Sequence, residues 1–460
     1  MRDVCIQYAP VVRGSRRRSR LAATREDVER ASASEALESH RMCHGKIETM
    51  PKCFVRNLGD LALWYTPGVA EPCKAIQRQP DLVYELTNKW NTVAVVTDGS
   101  RVLGLGDIGP EAALPVMEGK AMLYKYLGGV DAVPVCLGTK DPDELISTVK
   151  WLGPSFGGIN LEDIEQPKCF YVLDRLRSEM RIPVWHDDQQ GTAAVTLAGL
   201  LSALRLVGKE LLSAKIALIG AGAANMGTAG LLISAGVPPG NIVMCDSAGI
   251  LHPGRDDLRL HHRKWEMCRK TNEKRITGNI DRAMRGADVV IALARSGPGV
   301  IRQEWVADMA KDPIVFACAN PVPEIWPWEA KAAGAAVVAT GRPDFPNQTN
   351  NSLGFPGIFR GALDVRARTI TDEMCIAAAR ELAAYVEETG LDEERIIPSM
   401  EEWRVVPRQA VAVGLKAMEQ GVAGLRLSRE ELSETATGMI ERAREAMQLS
   451  LDAGIIPGPK

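Results

Sequence analysis

The chain has 460 residues, 46% of them hydrophobic and 25% charged, with a formal net charge of −3. That exceeds one ordinary hydrophobic core, so two or three domains and a deep site are expected. The composition excludes a disordered chain and gives no sign of a polyanionic nucleic-acid partner.

The first thirty residues carry Arg13, Arg16, Arg17, Arg18 and Arg20 among small residues. They read as a disordered leader in preference to a basic arm or an organellar presequence. No secretory signal pattern is present, and the ten cysteines form no CxxC pair. Reduced, mostly buried thiols in a cytoplasmic protein fit best.

Ordered structure is expected to begin with a helix over EDVERASASEALESHRM. From about 50 to 195, apolar strands alternate with helical segments: TVAVVTD, PEAALPVMEGKAMLYKYLGG, DAVPVCL, DPDELISTVKWLG, GGINLED, a helix near 168–180, and IPVWHDD. This rhythm predicts a parallel sheet covered by helices, with ligands at the carboxyl ends of the strands.

TAAVTLAGLLSALRLVG predicts a helix leading to a second βαβ series: KIALIGAG, NIVMCD, ADVVIALA, PIVFACAN and AAVVATG. The uncharged run Ile216–Cys245 is broken by GAG, Asn225 and VPPGN, so it reads as strand, loop, helix and strand, not as a membrane span. Beyond about 370 the pattern is helical, in TDEMCIAAARELAAYVEE and EELSETATGMIERAREAMQLS. The predicted class is therefore α/β: a substrate domain over 31–195, a Rossmann-like doubly wound dinucleotide domain over 196–370, and a helical segment over 371–460 that packs on both.

Gly220 and Gly222 close an apolar strand and open a helix, where free amides and the helix dipole suit a pyrophosphate. The third position of the motif is Asn225, with Gly227 two residues on, which departs from the small residue expected for close packing. Asp246 ends the second strand of this series and reads either as the acid that holds a ribose hydroxyl or as a turn residue. It leans towards NAD, while Ser247 and Arg255 leave NADP open.

Glu162, Asp163 and Asp188 fall at predicted strand ends, where hard oxygen ligands suit a divalent cation. Each alone also reads as a helix cap or turn. Asp187 is then a supporting group beside the metal or beside a catalytic cation. Lys120 reads either as a desolvated lysine with a lowered pKa or as a surface lysine with a buried stem. Tyr65 beside Thr-Pro-Gly points a phenol into a cleft or packs its ring, and Arg101 grips a carboxylate or pairs at the surface.

Taken in order, YTPGVAEPC (65–73), TDGSRVLGLGDIGPEAALPVMEGK (97–120), GGINLEDI (157–164), HDDQQGTA (186–193), GAGAA (220–224), CANPVPE (318–324) and NNSLGFPGIFRGAL (350–363) resemble the malic enzymes. The resemblance implies oxidative decarboxylation of malate to pyruvate with NAD or NADP and Mg²⁺ or Mn²⁺. It casts Tyr65 as general acid, Lys120 as general base, and Glu162, Asp163 and Asp188 as metal ligands. Arg101, Asn320 and Asn351 become substrate contacts, and Gly220, Gly222, Ala223, Ala224, Asp246 and Asn320 line the dinucleotide. It also implies a homodimer or higher homo-oligomer acting on a small molecule, and neither composition nor hydropathy points to a nucleic-acid or membrane partner. Two competing readings stand beside it: a metal-independent dehydrogenase of amino-acid type, and a catalytically idle NAD-binding regulator.

Overall fold

The structure is a computed structural model that describes residues 25–102 and 104–457, with backbone alone for 25–33. The arginine-rich stretch through Arg20, read above as a leader, lies outside the described residues. The chain divides into two compact units. The smaller, over its described residues, comprises 25–46, with the helix Arg25–Cys43, and 450–457. The larger is Ile47–Leu449 and contains both sheets.

The first sheet has four parallel strands, β1 (Thr92–Thr97), β2 (Asp131–Cys136), β3 (Gly158–Leu161) and β4 (Val184–His186), in the order β2-β1-β3-β4. Every residue of β1 is buried, as its unbroken run of valines requires of a strand covered on both faces. β2 lies at the edge, where Pro134 removes no hydrogen bond that a central strand would need.

The second sheet contains β5 (Ile216–Ile219), β6 (Ile242–Asp246), β7 (Gly249–Ile250), β8 (Val289–Ala292), β9 (Ile314–Ala317) and β10 (Val337–Thr340), in the order β10-β9-β8-β5-β6-β7. Its strands are parallel except β7, a two-residue hairpin return on β6 that hydrophobic periodicity did not signal. Strand order reverses between β5 and β8, which creates the crevice where doubly wound sheets bind ligands.

The helix Phe355–Asp364 follows the second sheet in sequence but packs on the first. Phe359 stacks edge-on to Tyr124 at 5.3 Å and to Trp185 at 6.3 Å, and a Cβ on Gly158 would come within 2.9 Å of the Phe359 ring. Its Arg360 is fully buried and bonds Asp364 and, across to the start of β1, Asn91. This aromatic and ionic seam holds the floor beneath the strand ends that carry the acidic groups.

Candidate active site

Glu162 and Asp163 leave β3, and Asp187 and Asp188 leave the adjacent β4. Asp163 has a left-handed backbone (φ 53°), a conformation that Asp tolerates and that clusters at functional sites. It acts as a hub: its N–H donates to Asp188 Oδ2 at 3.0 Å, and its carbonyl accepts the N–H of Arg101 at 3.0 Å. Oxygens of Glu162, Asp163 and Asp188 lie within 4.8 Å of one another.

Asp187–Gly191 forms a π-helical turn running into the helix Thr192–Leu206. Neither Asp187 nor Asp188 caps that helix, so the capping alternative fails for both. The wider π turn directs their carboxylates elsewhere. Gly191 is required here, because a Cβ would lie 2.0 Å from Asp187 Oδ1.

Lys120 is buried on the helix Pro110–Gly128, and its Nζ lies 2.5 Å from Asp187 Oδ2, 3.0 Å from Glu162 Oε1 and 4.4 Å from the centre of the Phe355 ring. Burial alone would lower its pKa, as the sequence suggests, but the two carboxylates outweigh burial and raise it above the ordinary lysine value. The carboxylates are themselves held in place. Trp185 Nε1 donates to Asp187 Oδ1 at 3.0 Å, while Tyr124 donates to Asn160, whose amide donates to Glu162 Oε2 at 2.8 Å. Tyr124 and Asn160 were missed from sequence, although Tyr124 lies one helical turn past Lys120 and Asn160 two residues before Glu162 on the same strand face.

Burial raises the Glu162 carboxyl well above its usual range, and Asp187, Asp188 and Asp163 add to the effect against the opposing charge of Lys120. Three carboxylate oxygens clustered at the ends of adjoining strands fit a hard divalent cation such as Mg²⁺ or Mn²⁺.

The other expected substrate residues are distributed unevenly. Arg101 is exposed but tied by its backbone to Asp163, and Asn351 packs its Cβ 3.3 Å from the Cβ position of Gly191. Asn320 is exposed beside Gly104 of the loop that follows Arg101. Tyr65 ends the short helix Leu58–Trp64 with 72% of its surface exposed, while the side-chain partners of Lys120 are Asp187 and Glu162.

At the switch point of the second sheet, Gly220 has φ 98°, and a Cβ there would meet the Leu293 carbonyl at 2.6 Å. Gly222 precedes the helix Ala223–Ser234, and a Cβ on it would project into open space, so the cradle before the first-turn residues Ala223 and Ala224 is clear for a ligand. Asn225 is fully buried, and Gly227 makes the close approach: a Cβ there would lie 2.4 Å from the Gln189 carbonyl. The helix thus presses on the π turn as well as on its own sheet. Asp246 at the end of β6 bonds Arg255 at 2.7 Å and Lys264 at 2.9 Å. Burial opposes its ionisation, but these two cations prevail and hold the carboxyl below its usual value.

Comparison with known proteins follows the same layout. The family profile "Malic enzyme, N-terminal domain" matches residues 44–177, and "Malic enzyme, NAD binding domain" matches 189–419. A bifunctional malic/malolactic enzyme of Bacillus subtilis is 53% identical, covering 87% of this chain and 96% of its own. An NAD-dependent malic enzyme of Geobacillus stearothermophilus is 52% identical over 82% of this chain and 78% of its own, and NADP-dependent malic enzymes match at 43% and 44% identity. The crystal structure of an Entamoeba histolytica malic enzyme superposes with a TM-score of 0.90 at 46% identity, covering 95% of this chain and 93% of that one.

Proposed function

Because the chain belongs to the malic enzyme family, we propose that it converts (S)-malate to pyruvate and CO₂ while reducing a nicotinamide dinucleotide, with the help of a divalent cation. The observation that carries this reading is the convergence of Lys120 with Glu162 and Asp187 beside the oxygens of Asp163 and Asp188, at the carboxyl ends of neighbouring parallel strands.

Glu162, Asp163 and Asp188 are the residues that would hold Mg²⁺ or Mn²⁺. Bound there, it would supply Lewis-acid chemistry to the substrate's oxygens. Lys120 accepts the proton of the C2 hydroxyl as hydride leaves C2. For this its ammonium must first give up a proton, a loss that the charges of Asp187 and Glu162 oppose. Asp187 keeps Lys120 oriented throughout, fixed from behind by Trp185. Arg101, Asn320 and Asn351 serve the substrate's remaining polar groups. Tyr65 protonates C3 after decarboxylation.

The exposed position of Tyr65 bears on assembly. Met50, Phe54, Val55, Leu58, Leu61, Leu63 and Trp64 are exposed around it, and an apolar run of this kind supports a homodimer that covers it. Sedimentation as a monomer at micromolar concentration would contradict that assembly. All nine cysteines among the described residues are free thiols, which supports a cytoplasmic setting. No helix among the described residues is long and apolar enough to cross a membrane.

The site supports NAD first, since Asp246 can accept from a ribose hydroxyl and repels a 2′-phosphate. Arg255 and Lys264, both bonded to that carboxylate, are cations a 2′-phosphate would need, so NADP is the second reading. The acidic cluster argues against a metal-independent dehydrogenase, and the intact Lys120 triad against an idle regulator. The deciding assay is malate-dependent reduction of NAD and NADP side by side, with and without Mn²⁺. Turnover that survives exhaustive chelation, or none under any combination, would reject the reading.

A further inference from the structure

Asn225 stands where the dinucleotide fingerprint expects a small residue, and it is fully buried in the first turn of the helix Ala223–Ser234. Its Nδ2 donates to the carbonyls of Ile219 and Gly220, each at 2.9 Å, and reaches the Ile291 carbonyl at 3.4 Å. Ile219 ends β5 and Ile291 belongs to β8, so one side-chain amide spans the two strands that flank the switch point. Its Oδ1 is buried and has no hydrogen-bond partner. The group is therefore present for its donors, and three carbonyl neighbours leave no other orientation of the amide that would be satisfied.

We propose that Asn225 is the positioning residue of the dinucleotide loop. It clamps the Gly220 carbonyl inward and so aims the amides that follow Gly222 at the cofactor's pyrophosphate. The duty given to a single third glycine in the simple fingerprint is divided here: Asn225 fastens the loop to the sheet, and Gly227 allows the close approach, directed at the backbone of Gln189. Removing the amide leaves the half-buried Gly220 carbonyl without that donor, and the loop turns to find another. The inference rests on the reading that the dinucleotide occupies this loop.

The test is calorimetric titration of NAD and NADP into the wild type, Asn225→Gly and Asn225→Asp, beside Mn²⁺ titrations and steady-state kinetics with malate. Asn225→Gly restores the fingerprint's usual small residue, yet the clamp predicts dinucleotide binding weaker by about tenfold, a matching rise in the dinucleotide KM, and kcat and Mn²⁺ affinity within about twofold of wild type. Asn225→Asp, which keeps the shape but cannot donate to carbonyls, is expected to lose more. Asn225→Gly binding as well as the wild type overturns the inference, as does a loss of Mn²⁺ affinity in step with the cofactor, which would mark a general structural defect. If Asn225→Gly does not fold, Asn225→Ser decides by the same readouts, and wild-type affinity in it overturns the clamp. A wild type that binds neither dinucleotide would instead overturn the reading of the loop itself.

Discussion

Lys120 shows how a residue's chemistry depends on partners distant in sequence. Its flanking Gly119 and Ala121 suggest a desolvated lysine with a lowered pKa, and burial does act that way. Two carboxylates, 42 and 67 residues further on, reverse the outcome, and no local pattern encodes them. Lys120→Ala is expected to cut malate oxidation by 10²-fold or more, in the range general-base removal usually costs. Tyr65→Phe is expected to spare the reduction of oxaloacetate more than the release of pyruvate, because only the latter needs a proton delivered to C3. Stopped-flow measurement of the separate half-reactions checks both, and equal loss in both variants at every step would reject the division of roles.

Among the elements, the loops at the strand ends matter most, and Glu324 ties two of them together. It is fully buried beside Asn320, and its two oxygens accept the N–H groups of Ala294, after β8, and Ala319, after β9, at 2.8 and 3.0 Å. Burial raises its pKa from 4.5 to about 7, against the pull of those amides. Between these pH values the folded chain keeps a proton that the unfolded chain has released. Glu324 therefore favours folding fully below pH 4.5, and its contribution is lost as pH rises through about 7, amounting to about 3 kcal/mol. Glu324→Gln should flatten the decline in urea midpoint between pH 5 and 7.5 relative to wild type; an unchanged slope would show that Glu324 does not titrate in this window. Nine of the ten strands among the described residues were legible as apolar runs ending in polar clusters, a signature that parallel strands buried on both faces, such as β1, leave. The two-residue β7 was not, being too short for any periodicity, and the π turn was not, because the bond pattern that widens it has no compositional mark.

Across the whole molecule, sequence order and spatial order diverge. The helix Phe355–Asp364 lies more than 100 residues beyond the last strand of the first sheet, yet its Phe355 and Phe359 form the apolar floor against Tyr124 and Trp185. Alternating strands and helices predicted two parallel sheets, and the ordered motifs predicted which strand ends carry chemistry. Neither could show that helix Ala223–Ser234 touches the π turn through Gly227, because that contact depends on how two sheets are docked. It brings the helix that follows the glycine loop against the turn that carries Asp187 and Asp188, so the two groups of strand ends meet along one close contact.

The carboxylates gathered from two strands of the first sheet are proposed as the ligands of the divalent cation. Calorimetric titration of Mn²⁺ into exhaustively chelated wild type and Asp188→Asn separates the outcomes. One site per chain is expected in the wild type, and affinity at least tenfold weaker in the variant. Equal Mn²⁺ affinity in the two proteins would contradict it.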